Sequence, residues 1–179
     1  MYVRDVTILL ATSIAIGATA CGSLQGPTAG GADPVETTSS EPIAIPVGEQ
    51  VVVWSEGDSS IDGETLRKVK SDARATLLRD DAERDAFVDS LPADLDQGEL
   101  GSIDLDANLL VVGAYPKCME EAEVLTDGAH TSVWFHVYVP ESDEDVMCAW
   151  SPHTVEVWKV SLADLGDADP AELENMPPD

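Results

Sequence analysis

Apolar residues fall into short bursts along the chain, separated by acidic or Gly/Pro-rich stretches, and the spacing inside each burst predicts an element. Gln50-Val51-Val52-Val53-Trp54 is a β-branched run bounded by Gly48 and by Gly57-Asp58, the pattern of a strand, and Ser55 to Gly63 reads as loop. Ala75-Thr76-Leu77-Leu78 predicts a second strand. Asp80-Asp81-Ala82-Glu83 has the form of a helix start, with Asp80 as cap and Glu83 three residues later as its capping-box partner, accepting from the Asp80 amide. That helix runs to about Leu91, ahead of Pro92, with Ala82, Ala86, Phe87 and Leu91 as its buried stripe. After an acidic loop from Asp94 to Ser102, the run Asn108 to Tyr115 is apolar on both faces, as in a central strand covered on one side by the helix. Glu123 to Thr126, the turn Asp127-Gly128, and His130 to Val139 read as a β-hairpin, because glycine accepts the positive φ of a tight turn. Thr154 to Leu162 supplies the last strand. The predicted fold is a single small α+β domain, mainly antiparallel β-sheet with one principal helix.

The flanks read differently. Arg4 precedes an apolar run from Val6 to Ala20. About 15 residues at ~1.5 Å each fall short of a ~30 Å hydrocarbon core, so an export signal fits better than a permanent transmembrane helix. The run ends in Ala18-Thr19-Ala20-Cys21. This stretch resembles the lipobox of bacterial lipoproteins, which implies lipid attachment (diacylglyceryl, with palmitate among the acyl chains) at Cys21 as the mature N-terminus. Ala18-Thr19-Ala20 also meets the A-x-A preference of ordinary signal peptidase, which would give a freely secreted form. From Gly22 to about Ile45 the composition is Gly, Pro, Ser, Thr and Glu without apolar periodicity, as in a flexible tether reaching ~25–30 Å. The predicted organisation is a signal peptide at 1–20, a tether at 21–46, the α+β domain at 47–163 and an acidic, disordered tail at 164–179.

Of three cysteines, lipidation of Cys21 leaves Cys118 and Cys148 as a pair, 30 positions apart on either side of the hairpin. In an exported protein these form a disulfide; a redox-active or metal-binding pair is the alternative, and there is no C-x-x-C.

Charge narrows the partners. With 35 acidic against nine basic residues and a net −26, the surface repels phosphate backbones and anionic headgroups, which excludes nucleic acid. The same charge also serves simply to keep the chain in solution.

Within the hairpin the alternation sets Val133, Phe135, Val137 and Val139 on one face and Trp134, His136 and Tyr138 on the other. Trp158 shares a face of the last strand with Thr154, Glu156 and Val160. Trp134, His136, Tyr138 and Trp158 are therefore the candidate binding face, with coverage of the second side of the sheet as the plainer reading of the same rings. The histidines, His130, His136 and His153, are too far apart along the chain to predict a shared metal ion, and no metal or cofactor is expected. Asp104-x-Asp106-x-Asn108 begins like a calcium loop, but Leu109 and Tyr115 stand where glycine and glutamate are needed. No nucleophile elbow, zinc-protease, phosphate-loop or dinucleotide motif occurs, so no catalytic residue is assigned.

From about Thr76 onward the order is a capped helix after a strand, then Asp-Leu-Asp-Ala-Asn-Leu-Leu-Val-Val (Asp104 to Val112), a hairpin, and a final Val-Glu-Val-Trp-Lys-Val run. This resembles the C-terminal domain of the protease complex subunit PrcB, a non-catalytic module of exported bacterial lipoproteins. The resemblance implies an accessory role toward another envelope protein. The expectation is a lipoprotein on the extracytoplasmic face of the cell membrane that binds an envelope protein or a small ligand. The alternatives are a small extracytoplasmic hydrolase with His136 or His153 as base, and a structural lipoprotein without a specific ligand.

Overall fold

A computed structural model describes residues 43–57, 61–143 and 147–176. The signal at 1–20, Cys21 and the tether up to residue 42 lie outside the described residues. In chain order the elements are β1 (Ala44–Val47), β2 (Glu49–Ser55), α1 (Gly63–Val69), β3 (Thr76–Leu78), α2 (Asp81–Ser90), β4 (Asn108–Pro116), β5 (Glu121–Asp127), β6 (Val133–Tyr138) and β7 (His153–Ser161). Three short 3-10 turns, at Leu100–Ser102, Glu141–Asp143 and Leu162–Leu165, complete them. All strand pairs are antiparallel, in two sheets ordered β1-β5-β6 and β2-β7-β4-β3. The chain is a small α+β domain, mainly sheet. No helix among the described residues is long and apolar enough to cross a membrane.

The four-stranded sheet is the middle layer, and the alternation along β4 shows why both of its faces are apolar. Leu110, Val112 and Ala114 join Val155 and Val157 of β7 in one core, under Leu66 of α1 and the segment carrying Leu91, Leu95, Leu100, Ile103 and Leu105. Leu109, Val111 and Tyr115 point the other way and meet Val124, Val133 and Phe135 of the three-stranded sheet. Gly113 lies on this second face, where an added Cβ would overlap the Phe135 ring. Glycine here lets the two sheets close on each other.

Several boundaries and faces differ from the sequence reading. α1 was not predicted: two turns carrying one fully buried side chain, Leu66, leave no periodicity to detect, although Asp62 caps it through Thr65 N at 2.8 Å. In α2 the Asp80 cap is as expected, accepting from Glu83 N at 2.8 Å, but Glu83 accepts from Arg79 N rather than from Asp80. Its inner stripe is also rotated. Ala82 and Ala86 are exposed, and Arg84, Phe87, Val88 and Leu91 face inward. The stem of Arg84 lies along the domain and its guanidinium donates to Ile103 O at 2.9 Å, so a charged residue holds a position that alanine was expected to fill.

Both ends of the domain are longer than the boundaries 47 and 163. Ala44–Val47 pairs with β5, with Pro46 tolerated because β1 is an edge strand. The tail from residue 164 is packed as far as Met176. Leu165 and Leu173 are buried in the inter-sheet core, and Arg79 donates to Pro170 O and Leu173 O. Val133 N donates to Glu174 O, and Asn175 Nδ2 to Ala75 O. This segment thus ties β3 of one sheet to β6 of the other. Its acidic, proline-containing sequence conceals two apolar anchors too far apart to give a period.

Candidate functional site

β1 ends at Val47, opposite Val124, and Gly48 carries the chain from the three-stranded sheet into β2 of the four-stranded one. Gly48 has φ 80°, and a Cβ there would stand 2.6 Å from the carbonyl oxygen of Lys159, so only glycine makes this crossing without displacing β7. The crossing leaves the start of β5 half-partnered. Glu121, Ala122 and Glu123 face Tyr138, Val137 and His136 on β6, and among the described residues they have no β1 residue on their other side. A cavity of about 590 Å³ lies where β1 would continue, bounded by Val47, Gly48, Ala122, Glu123, Tyr138 and Trp158. A smaller one of about 290 Å³ shares Ala122 and Trp158 with it and reaches Tyr115, Lys117 and Glu156. Together they make one groove along the open corner between the sheets.

The deepest polar group in the groove is the carboxylate of Glu156, only 2% exposed. The alternation of β7 turns Glu156 and Trp158 toward the inter-sheet space while Val155 and Val157 face the other core. Tyr115 Oη donates to Glu156 Oε1 at 2.7 Å and Trp158 Nε1 donates to Oε2 at 2.9 Å. Lys117 Nζ stands 3.8 Å from Oε1, with its side chain still 44% exposed. A carboxylate withdrawn this far from water needs such donors, since an uncompensated buried charge is costly. Burial, reinforced by Glu156, pushes the Tyr115 phenol well above its ordinary value, so it stays a neutral donor. At the rim Tyr138 Oη donates to Glu121 Oε2 at 3.0 Å, and that bond likewise raises the Tyr138 phenol.

The loop that presents Lys117 is firmly held. Lys117 N donates to Pro152 O at 2.8 Å, and the amides of Cys118 and Met119 donate to Glu120 at 2.6 and 3.1 Å. Cys118 is disulfide-bonded to Cys148, as the cysteine count suggested, with Cα atoms 6.1 Å apart.

The four residues expected to form one binding face are divided. Trp134, His136 and Tyr138 do share the outer face of β6, but Trp158 belongs to β7 in the other sheet and points inward. Trp134 is 7% exposed and lies opposite Leu125, itself flanked by Pro46. His136 is exposed, opposite Glu123, with its ring stacked on Tyr138 at 5.8 Å between centroids and 11° between planes. Tyr138 is the member of the outer face that reaches the groove, where it and Trp158 line the same cavity. The residue that sequence reasoning passed over is Glu156. An acidic residue in an alternating strand reads as solvent-facing, and the local hint of burial was that Glu156 shares its face with Thr154, Trp158 and Val160.

The histidines occupy three separate places. His130 has φ 56° and packs beside Leu165, Gly166 and Leu173, with Nδ1 buried and, among the described residues, without a hydrogen-bond partner. His136 is on the outer sheet face. His153 is buried at the start of β7, its Nε2 2.8 Å from Lys70 O and its amide donating to Glu56 Oε2 at 3.1 Å. Among the described residues no three His, Cys, Asp or Glu side chains are grouped to hold a metal ion. Asp104 instead organises a turn, accepting from Asp106 N and, through its carbonyl, from Asn108 Nδ2.

Compared with protein-family models, curated proteins and solved structures, the chain matches none of them.

Proposed function

We propose that this chain is a non-catalytic binding or accessory module of the bacterial cell envelope, held on the extracytoplasmic face of the membrane by lipid on Cys21. It engages its partner through the groove between the two sheets. The observation that carries this reading is the groove itself: Trp158 and Tyr138 wall its larger cavity, and a buried, hydrogen-bonded carboxylate lines the smaller one that adjoins it at Trp158. Aromatic walls around a few fixed polar groups are the usual make-up of a recognition site. The Cys118–Cys148 bridge agrees with an oxidising compartment. The likeness of the strand and helix order to the PrcB C-terminal domain agrees with an accessory role.

A hydrolase using His136 or His153 gains no support from the geometry. His136 stands on the outer face, away from Glu156, and the His153 ring is engaged by a backbone carbonyl. The groove holds a carboxylate whose two oxygens already accept hydrogen bonds from donors that stay protonated, an arrangement for holding a ligand rather than for moving its protons.

The test is quantitative capture of membrane-extract proteins on the full-length chain, with Trp158→Ala and Tyr138→Ala beside the wild type. A discrete set of captured proteins should be lost in both variants. Unchanged capture by both, with folding intact, removes the groove from the function.

A further inference from the structure

We infer that the groove takes an extended polypeptide segment, which adds to β5 where β1 leaves it and sets a lysine or arginine side chain against Glu156. This rests on the groove being the binding site and names the chemistry of what enters it.

In an antiparallel sheet successive residues turn their N–H and C=O groups alternately to one neighbour and the other. Of Glu121, Ala122 and Glu123, at least one therefore directs both groups to the side that β1 has vacated at Val47. Apart from their pairing within the sheet, none of the three makes a backbone hydrogen bond among the described residues. The cavity in front of them is bounded by the last residues of β1 at one end and by Trp158 beneath. A strand entering there continues the line of β1 and pairs with these groups, the mode by which peptides augment an open sheet edge.

Along the two parts of the groove stand the carboxylates of Glu121, Glu123, Glu156 and Asp164 and a single ammonium, Lys117. Glu156 accepts one neutral hydrogen bond on each oxygen, and a carboxylate has about four acceptor positions, so it retains capacity for a charged donor. Its ion pair with Lys117 is long, 3.8 Å, and the lysine is nearly half in water. An incoming ammonium or guanidinium finds this oxygen pair in a low-dielectric site beside Trp158, with Tyr138 lining the adjoining cavity. Anionic and neutral segments gain none of this.

The probe is a fluorescent heptapeptide of alternating threonine and valine with a central lysine, titrated by anisotropy against the full oxidised chain. Companion peptides replace the lysine with norleucine or glutamate, or carry N-methyl groups on one or the other alternate set of backbone nitrogens. The lysine peptide should bind at least about tenfold more tightly than the norleucine peptide, and the glutamate peptide not at all. One N-methyl set should abolish binding while the other is tolerated. Glu156→Gln should erase the preference for lysine over norleucine; glutamine still accepts from Trp158 and donates to Tyr115 Oη, so the network survives without its charge. Equal binding of lysine and norleucine peptides, indifference to both N-methyl sets, or displacement by n-butylammonium at the same concentration as by peptide each overturns the inference. If no peptide binds while capture still depends on Trp158, this inference falls and the groove remains; if Trp158→Ala alters neither, both fall.

Discussion

Replacing Cys118 and Cys148 together by serine should weaken the domain while leaving its native structure in place. The bridge spans a sequence separation of 30, and in the chain-entropy treatment a loop of that size stabilises by about 3.6 kcal/mol at 25 °C. The loop encloses the whole β5–β6 hairpin, so without the bridge the unfolded chain regains the freedom to move that hairpin away from β4 and β7. In the folded state the two ends are already held by other means. Pro116 pairs with His153 at the end of the β4–β7 ladder, and Lys117 N donates to Pro152 O. The loss should therefore come from the unfolded state. With a urea dependence of about 2 kcal/mol per molar, usual for a domain of this size, the midpoint should fall by roughly 1.5–2 M. The assay is urea unfolding followed by tryptophan fluorescence and far-ultraviolet circular dichroism, comparing the oxidised wild type with the double serine variant. A midpoint change below about 0.5 M would refute the loop-entropy reasoning. An altered near-ultraviolet spectrum in water would refute the claim that the native structure does not depend on the bridge.

Other outcomes follow from the packing and from the titrating groups. Gly113→Ala pushes a methyl into the Phe135 ring and should cost about 1–3 kcal/mol in chemical unfolding, part of it recovered when Phe135→Leu is added; strictly additive losses would show that the two positions do not touch. Amide hydrogen bonds from Cys118 and Met119 hold the Glu120 carboxyl below its ordinary 4.5. Burial opposes ionisation of Asp127, but hydrogen bonds from Ser132 and Thr131 outweigh it and hold that carboxyl below 3.8. A depressed native value means the contribution is complete above the ordinary one and is lost as pH falls through the native one. The stability these two carboxylates contribute should thus be lost only below about pH 4, and a difference between the wild type and a Glu120→Gln, Asp127→Asn variant that already shrinks between pH 7 and 5 would contradict the assignment. Mass spectrometry of protein recovered from membranes should find a mature N-terminus at Cys21 carrying diacylglyceryl; a chain with Met1 intact would remove the anchor.

The fold was legible where one residue pattern admits one environment. Asn108 to Tyr115 had no polar face to give to water, and β4 is indeed buried on both sides. Asp80 announced α2 because a cap acts locally. What could not be read is the division of strands between two sheets, since that depends on Gly48 turning the chain across the corner and not on the composition of any strand. Trp158 was placed on the correct face of its strand, with Glu156, but nothing local reveals that this face meets the second sheet instead of solvent. The same limit hid the candidate site. Glu156 becomes legible only when Tyr115, 41 positions earlier, and Trp158 are seen to converge on it. The tail was misjudged for a related reason: Leu165 and Leu173 act through contacts with distant strands, and a short acidic stretch gives no period from which to infer them.

The most direct test of partner binding in the groove is photocrosslinking in intact membranes, with photoleucine at Ala122 on the open stretch of β5 and, separately, at His136 on the outer face. The expected result is one discrete protein adduct from the Ala122 position, joined through a lysine- or arginine-containing segment and lost when Glu156→Gln is added, with none from His136. An adduct from His136 and none from Ala122 would place the contact on the outer face and contradict it.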